Sequence, residues 1–222
     1  MAKTKPVDPV LVVGLGRFGS ALAQSLVDLG HEVLGVDRDD ALVQEWSGKI
    51  TSVVQADTTS EEAMRQIGAA DFPRAVVCIG GSVESSILSV GVLVDLGIPV
   101  IWAKALTPAH GRILERVGAH KVVYPEHEMG ERVAHMVTGR MLEFFALDDD
   151  NFALVETEPP RAVVGKTLGT SGIRGDHGVT VVCIKPEGKP FSYATEDTVI
   201  TPKSRLIVAG ETELVERFAN LV

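Results

Sequence analysis

Apolar positions open the chain as a continuous run, Val10-Leu11-Val12-Val13, followed by Gly14-Leu15-Gly16-Arg17-Phe18-Gly19 and a stretch over 20–29 whose apolar residues recur at helical spacing. A second apolar run over 31–36 ends in Asp37. Further runs follow at 51–55, 74–79, 98–103 and 120–124, and the amphipathic stretches 39–46, 84–96 and 108–117 separate most of them. A helix start is expected at Thr59 or Ser60, ahead of Glu61 and Glu62, and helix stops at Gly97 and Gly118. Nearly unbroken apolar strands alternating with helices predict a parallel sheet covered on both faces. From 126 to 147 the pattern reads as one uninterrupted helix, with Met129, Val133, Met136, Val137, Met141, Phe144 and Phe145 on it. Asp148-Asp149-Asp150 is read as an exposed break. Beyond it the chain changes to short β-like runs at 152–156, 179–184, 198–200 and 205–209, with short helices near 168–172 and 211–221. The expected organisation is a Rossmann-like doubly wound α/β domain over 1–125, a crossover helix and linker over 126–150, and a smaller α+β domain over 151–222.

The chain has 222 residues, 45% of them hydrophobic, enough for a sizeable core. Its longest apolar runs fall well short of the roughly 18 residues that suggest a membrane span. Residues 1–6 carry lysines without an apolar stretch of the kind an export signal needs, so a cytoplasmic location is expected. A net charge of −9 and the lack of any dense basic tract argue against nucleic acid as a partner. Cys78 and Cys183 lie far apart in similar apolar runs, without metal-ligand or C-x-x-C spacing, and are read as buried thiols.

Strand, G-x-G-x-x-G, helix, strand and acid in that order are the pattern of a nucleotide-binding β-α-β unit. Gly14 permits the tight turn, Gly16 lets a phosphate approach the backbone, and Gly19 lets the helix pack closely on the strand. Amides at the helix start then face the anion. Asp37 is placed to accept hydrogen bonds from ribose hydroxyls and disfavours a 2′-phosphate, which Arg38 would partly offset. Arg17 puts a fixed cation beside the loop, suited to a terminal phosphate, unless it is simply solvated. Lys104 sits at the carboxyl end of the fifth strand, where open α/β sheets place ligand contacts. Glu84 has the plain role of an acid at a helix start. His127, Glu131 and His135 fall at i, i+4 and i+8, which imitates a zinc site but reads better as a solvated or subunit-facing stripe.

These features, together with 56–58 (Ala-Asp-Thr), 103–105 (Ala-Lys-Ala), 124–130 (Tyr-Pro-Glu-His-Glu-Met-Gly) and 208–211 (Val-Ala-Gly-Glu), resemble the RCK (regulator of potassium conductance) family, specifically the single-module cytosolic subunits of Ktr and Trk potassium uptake systems. The resemblance spans nearly the whole chain. It implies that a phosphate loop of Gly14, Gly16, Arg17, Phe18 and Gly19, with Asp37, Arg38, Asp57, Thr58, Lys104 and Glu126, binds ATP, ADP or a nicotinamide nucleotide. Asp57 and Thr58 resemble adenine-edge contacts, the alternative for Asp57 being a cap on the next helix. Glu126 resembles the carboxylate that meets the phosphates through magnesium or calcium, the alternative being an acid that merely opens the long helix. Such subunits form homodimers that close into a homo-octameric ring at the inner face of the membrane, beneath a potassium-translocating subunit. Ile173 and Arg174 resemble a segment that binds cyclic di-AMP in some relatives, although 191–194 (Phe-Ser-Tyr-Ala) lacks the proline those relatives carry; the alternative for Arg174 is an ordinary surface arginine. A binding module with a mechanical output is the expected function. The alternatives are an NAD-dependent oxidoreductase, for which no catalytic constellation is visible in the sequence, and a stand-alone NAD-responsive redox sensor.

Overall fold

The structure, a computed structural model, describes residues 8–138, 140–147 and 151–221. Residues 1–6 and 148–150, on which the sequence placed expectations, lie outside that range. The chain divides into two compact units, residues 1–126 and 127–222.

In the first unit, strands and helices alternate as β1 (Val10–Val13), α1 (Arg17–Asp28), β2 (Val33–Asp37), α2 (Asp40–Trp46), β3 (Ser52–Gln55), α3 (Glu61–Gln66), β4 (Arg74–Val77), α4 (Val83–Asp95), β5 (Val100–Lys104), α5 (Pro108–Val117) and β6 (Lys121–Val123). All six strands are parallel, in the order β3-β2-β1-β4-β5-β6. The two-residue period of β1 explains why it is apolar throughout. Leu11 and Val13 enter one core with Val36, Val77, Ile101, Leu93 and Leu114, whereas Val10 and Val12 enter the other with Val33 and Ala23. Helix starts follow their caps. The hydroxyls of Ser60, Ser82 and Thr107 accept from the amides of Ala63, Ser85 and His110. His110 completes a reciprocal arrangement, because its Nδ1 accepts the Leu106 amide at 3.3 Å; burial holds this imidazole below its ordinary pKa.

After helix α6 (Pro125–Thr138), the strands and helix β7 (Met141–Leu147), β8 (Phe152–Thr157), α7 (Ile173–His177), β9 (Thr180–Lys185), β10 (Ser192–Tyr193) and β11 (Arg205–Glu211) of the second unit precede the terminal helix Thr212–Ala219. The strands form an antiparallel sheet in the order β10-β9-β11-β8-β7 around Ala153, Val155, Ile184, Leu206, Val208 and Phe218.

Several expectations need correction here. The helix that begins at Pro125 ends at Thr138, and 141–147 is not its continuation but the edge strand β7, paired with β8. Val199 makes only an isolated bridge to Thr167, so 198–200 is not a strand. The helix expected near 168–172 is a single 3₁₀ turn, Leu168–Thr170, with the short α7 after it. Cys183 is only half-buried. No helix among the described residues is long and apolar enough to cross a membrane.

Candidate functional site

The site forms where the sheet reverses its strand order. From β1 the chain moves to β2 and β3 on one side, then crosses to β4 on the other, so the loops after β1 and β4 diverge and leave a crevice at the carboxyl ends of the strands. Gly14 makes the first turn at φ +92°, a left-handed conformation costly for any other residue, and donates its amide to the Val36 carbonyl at 2.8 Å. Gly16 then caps α1 without a side chain, and no acid stands in the first helical turn. The positive end of the helix is left to an outside anion.

Asp37 organises this loop. One carboxylate oxygen accepts the Leu15 amide at 2.6 Å, and the other accepts the Asp39 amide at 2.9 Å. The acid at the end of β2 therefore braces the glycine turn after β1 as well as facing the crevice. Gly14, Gly16, Asp37, Arg38, Asp57 and Thr58 all line a cleft of about 270 Å³. Asp57 does not cap α3, because Ser60 does that. Its carboxylate instead accepts the hydroxyl of Thr59 at 2.7 Å and the amide at 3.0 Å, and these two bonds hold its pKa below the usual value. The buried hydroxyl of Thr58 is 2.7 Å from that of Ser89 on α4, which fixes its orientation.

The opposite wall is formed by 78–82 and Ser85, with Gly80, Gly81 and the cap residue Ser82 among them. This loop received no role from the sequence beyond that of Glu84 at a helix start; its signal was the pair of glycines between a strand and a helix cap. Cys78 lies on the cleft floor, where burial pushes its thiol up to about 12 despite the opposing field of Lys104. The ordinary value is 9.0, so folding stability is expected to fall as pH rises from 9 towards about 12, where the unfolded thiol ionises and the folded one does not. Denaturant titrations across that window should show a flatter pH dependence in Cys78→Ser than in the parent chain. At neutral pH a thiol reagent should reach the half-buried Cys183 well before Cys78.

Five expected residues stand outside the cleft lining. Gly19 is buried against the loop and serves packing. Arg17 is exposed at the start of α1, and Phe18 is half-buried beside it. Lys104 is buried, with its ammonium 5.6 Å from the centre of the Phe18 ring, and it donates to the carboxylate of Glu126. That bond is the main cause of a lowered Glu126 pKa, and the field of Arg17 adds to it.

In the second unit, Ile173 and Arg174 line a separate cleft of about 380 Å³ together with Thr180, Ala194 and Glu196. Arg174 is exposed and Ile173 is buried. His127 meets Glu131 at 3.3 Å, whereas His135 meets Glu216 at 2.8 Å and stacks on Phe144. The histidine stripe is thus engaged in separate pairs, and among the described residues no three His, Cys, Asp or Glu side chains converge as a metal site.

Comparison with known proteins bears on the family and the fold. Residues 10–125 match the TrkA-N domain, and residues 152–222 match the TrkA-C domain. Ktr system potassium uptake protein A of Bacillus subtilis is 31% identical over 94% of both chains. Ktr system potassium uptake protein C of the same organism is 32% identical over 95% of this chain and 96% of its own. Among solved structures, the GsuK RCK domain has a TM-score of 0.67 at 21% identity, covering 99% of this chain and 48% of that one. The GsuK channel bound to NAD has a TM-score of 0.65 at 20% identity, covering 99% and 40%. This chain therefore spans less than half of each GsuK chain, and at these identities the likeness establishes the fold. The two domain matches and the end-to-end similarity to the Ktr proteins place the chain in the family of TrkA-N and TrkA-C domain proteins that includes the Ktr system potassium uptake proteins.

Proposed function

We propose that this chain is a nucleotide-responsive regulatory subunit of a potassium uptake system, which binds ATP, ADP or a nicotinamide nucleotide and passes the resulting change of shape to a membrane-embedded translocating partner. The observation that carries this reading is the switch-point cleft, where a braced acid, a glycine turn and an uncapped helix end converge in a chain similar throughout to Ktr proteins. The fit to a nucleotide rests on chemistry. Asp37 offers a carboxylate to ribose, α1 offers amides to phosphate, and Gly16 presents no Cβ to obstruct the approach. Binding at this site requires neither proton transfer nor covalent change. Assembly as a homodimer closing into an octameric ring at the cytoplasmic face of the membrane belongs to the same proposal, with copurification of a membrane partner as its test.

Arg17, at the open helix start, reads the terminal phosphate. Glu126 holds a magnesium or calcium ion to the phosphates, because a bare carboxylate beside a polyphosphate is repelled. Arg17→Ala is expected to weaken ATP about tenfold while leaving ADP nearly unchanged, the loss of one charged hydrogen bond. Calorimetry with both nucleotides checks this, and an unaltered ATP preference removes Arg17 from the role. A nucleotide that only biases a conformation is not consumed, so purified protein should neither oxidise NADH nor hydrolyse ATP at steady rates; turnover would favour the oxidoreductase. In the second cleft, Arg174 pairs with a phosphate of cyclic di-AMP, a reading supported by its position in the lining beside Ile173. Loss of cyclic di-AMP binding in Arg174→Ala would place that ligand there.

A further inference from the structure

Lys104 and Glu126 form an unequal pair. The lysine side chain is 8% exposed and the glutamate side chain 61%. A buried ammonium without an anion carries a heavy desolvation penalty, whereas an exposed carboxylate released from its partner is taken up by water at little cost. The lysine thus needs an anion more than the glutamate needs the lysine. Moreover, the lysine lies close behind the cleft. A Cβ built on Gly80 would stand 3.3 Å from the Lys104 ammonium nitrogen, and Gly80 itself lines the cleft. Gly80, which has no side chain of its own, thus belongs to the cleft lining and also borders this buried cation.

We propose that Glu126 is a built-in competitor for Lys104, a tethered carboxylate that a nucleotide phosphate must displace to reach the buried ammonium. The inference rests on the reading of the cleft as a nucleotide site and deepens it. A phosphate of higher charge displaces the carboxylate more readily, so the exchange favours the more highly phosphorylated nucleotide. Displacement also frees Glu126 for the divalent cation assigned to it above. An ammonium drawn to a phosphate holds the glutamate less firmly, so the second residue of the helix that starts at Pro125 is held or released accordingly.

The test is ATP binding by calorimetry, with EDTA present so that no divalent cation contributes. Glu126→Gln removes the competitor and is expected to bind ATP about tenfold tighter than the parent chain. Glu126→Asp keeps the charge but shortens its reach and should gain less; it also covers the case in which the glutamine variant folds poorly. In the double variant with Lys104→Gln the gain should vanish, because there is no longer an ammonium to compete for. Unchanged or weaker ATP binding by both Glu126 variants overturns the proposal. A gain that persists without Lys104 also overturns it, since simple relief of charge repulsion would then suffice. Absence of any nucleotide binding in the parent chain and in Glu126→Gln defeats the nucleotide reading along with it, whereas sound binding with no gain defeats the competition alone.

Discussion

Asp37→Ala is expected to weaken adenine-nucleotide binding by about a hundredfold or more and to lower the unfolding temperature as well. The carboxylate has two duties, and the substitution removes both. Hydrogen bonds from ribose hydroxyls to a carboxylate contribute about 1.5–3 kcal/mol each, so the loss of two exceeds the 2.8 kcal/mol or so that corresponds to a hundredfold change. The braces to the Leu15 and Asp39 amides disappear at the same time, which leaves the glycine turn tied to β2 through the Gly14 amide and the Val36 carbonyl but without its side-chain brace. Asp37→Asn weakens both duties only in part. An asparagine retains the shape and one carbonyl oxygen, but its amide nitrogen must face one of two backbone donors. It should therefore fall between parent and alanine in both binding and unfolding temperature, as measured by calorimetry and thermal denaturation. Binding that survives Asp37→Ala intact would show that the ribose lies elsewhere.

The legibility of Asp37 and the illegibility of its brace have one cause. The β1-α1-β2 unit is local, and its glycines, helix and acid come in fixed order within about thirty residues, a spacing that its chemistry requires. Helix α5 was equally open to reading, because Thr107, Pro108 and Gly118 mark its ends in the sequence itself. What failed was the stretch after residue 138. The strand β7 carries a register shift between Met141 and Glu143, so its two buried residues, Met141 and Phe144, stand three apart. That is the spacing of one helix face, and a bulged strand following a helix therefore reads as more helix. The pairing of Lys104 with Glu126 was hidden for another reason. It depends on β5 and β6 lying side by side, whereas the resemblance matches each residue separately to the ligand, Lys104 to a phosphate and Glu126 to a divalent cation on the phosphates.

Gly19→Ala and Gly16→Ala should separate the two requirements of the phosphate loop, since their neighbours differ so much. A Cβ on Gly19 would come within 1.8 Å of the Gly14 carbonyl oxygen and 2.9 Å of the Cys78 Cβ. The first of these is backbone, pinned by the hydrogen bond that the Gly14 amide donates to the Val36 carbonyl, so the clash is relieved only if α1 moves off the sheet. A loss of about 3 kcal/mol or more is expected, a large share of the stability of a domain this size. Nucleotide binding falls with it, because the helix start carries the phosphate amides. At Gly16 a Cβ meets nothing within 4 Å, and the backbone there, at φ −63°, suits alanine. Gly16→Ala should therefore unfold within about 0.5 kcal/mol of the parent chain, yet lose nucleotide affinity, because its methyl group occupies the approach that a phosphate needs. Equal damage to stability from both substitutions would mean that the loop is packed against protein and not shaped for a guest. Unimpaired nucleotide binding by Gly16→Ala would place the phosphates away from the end of α1.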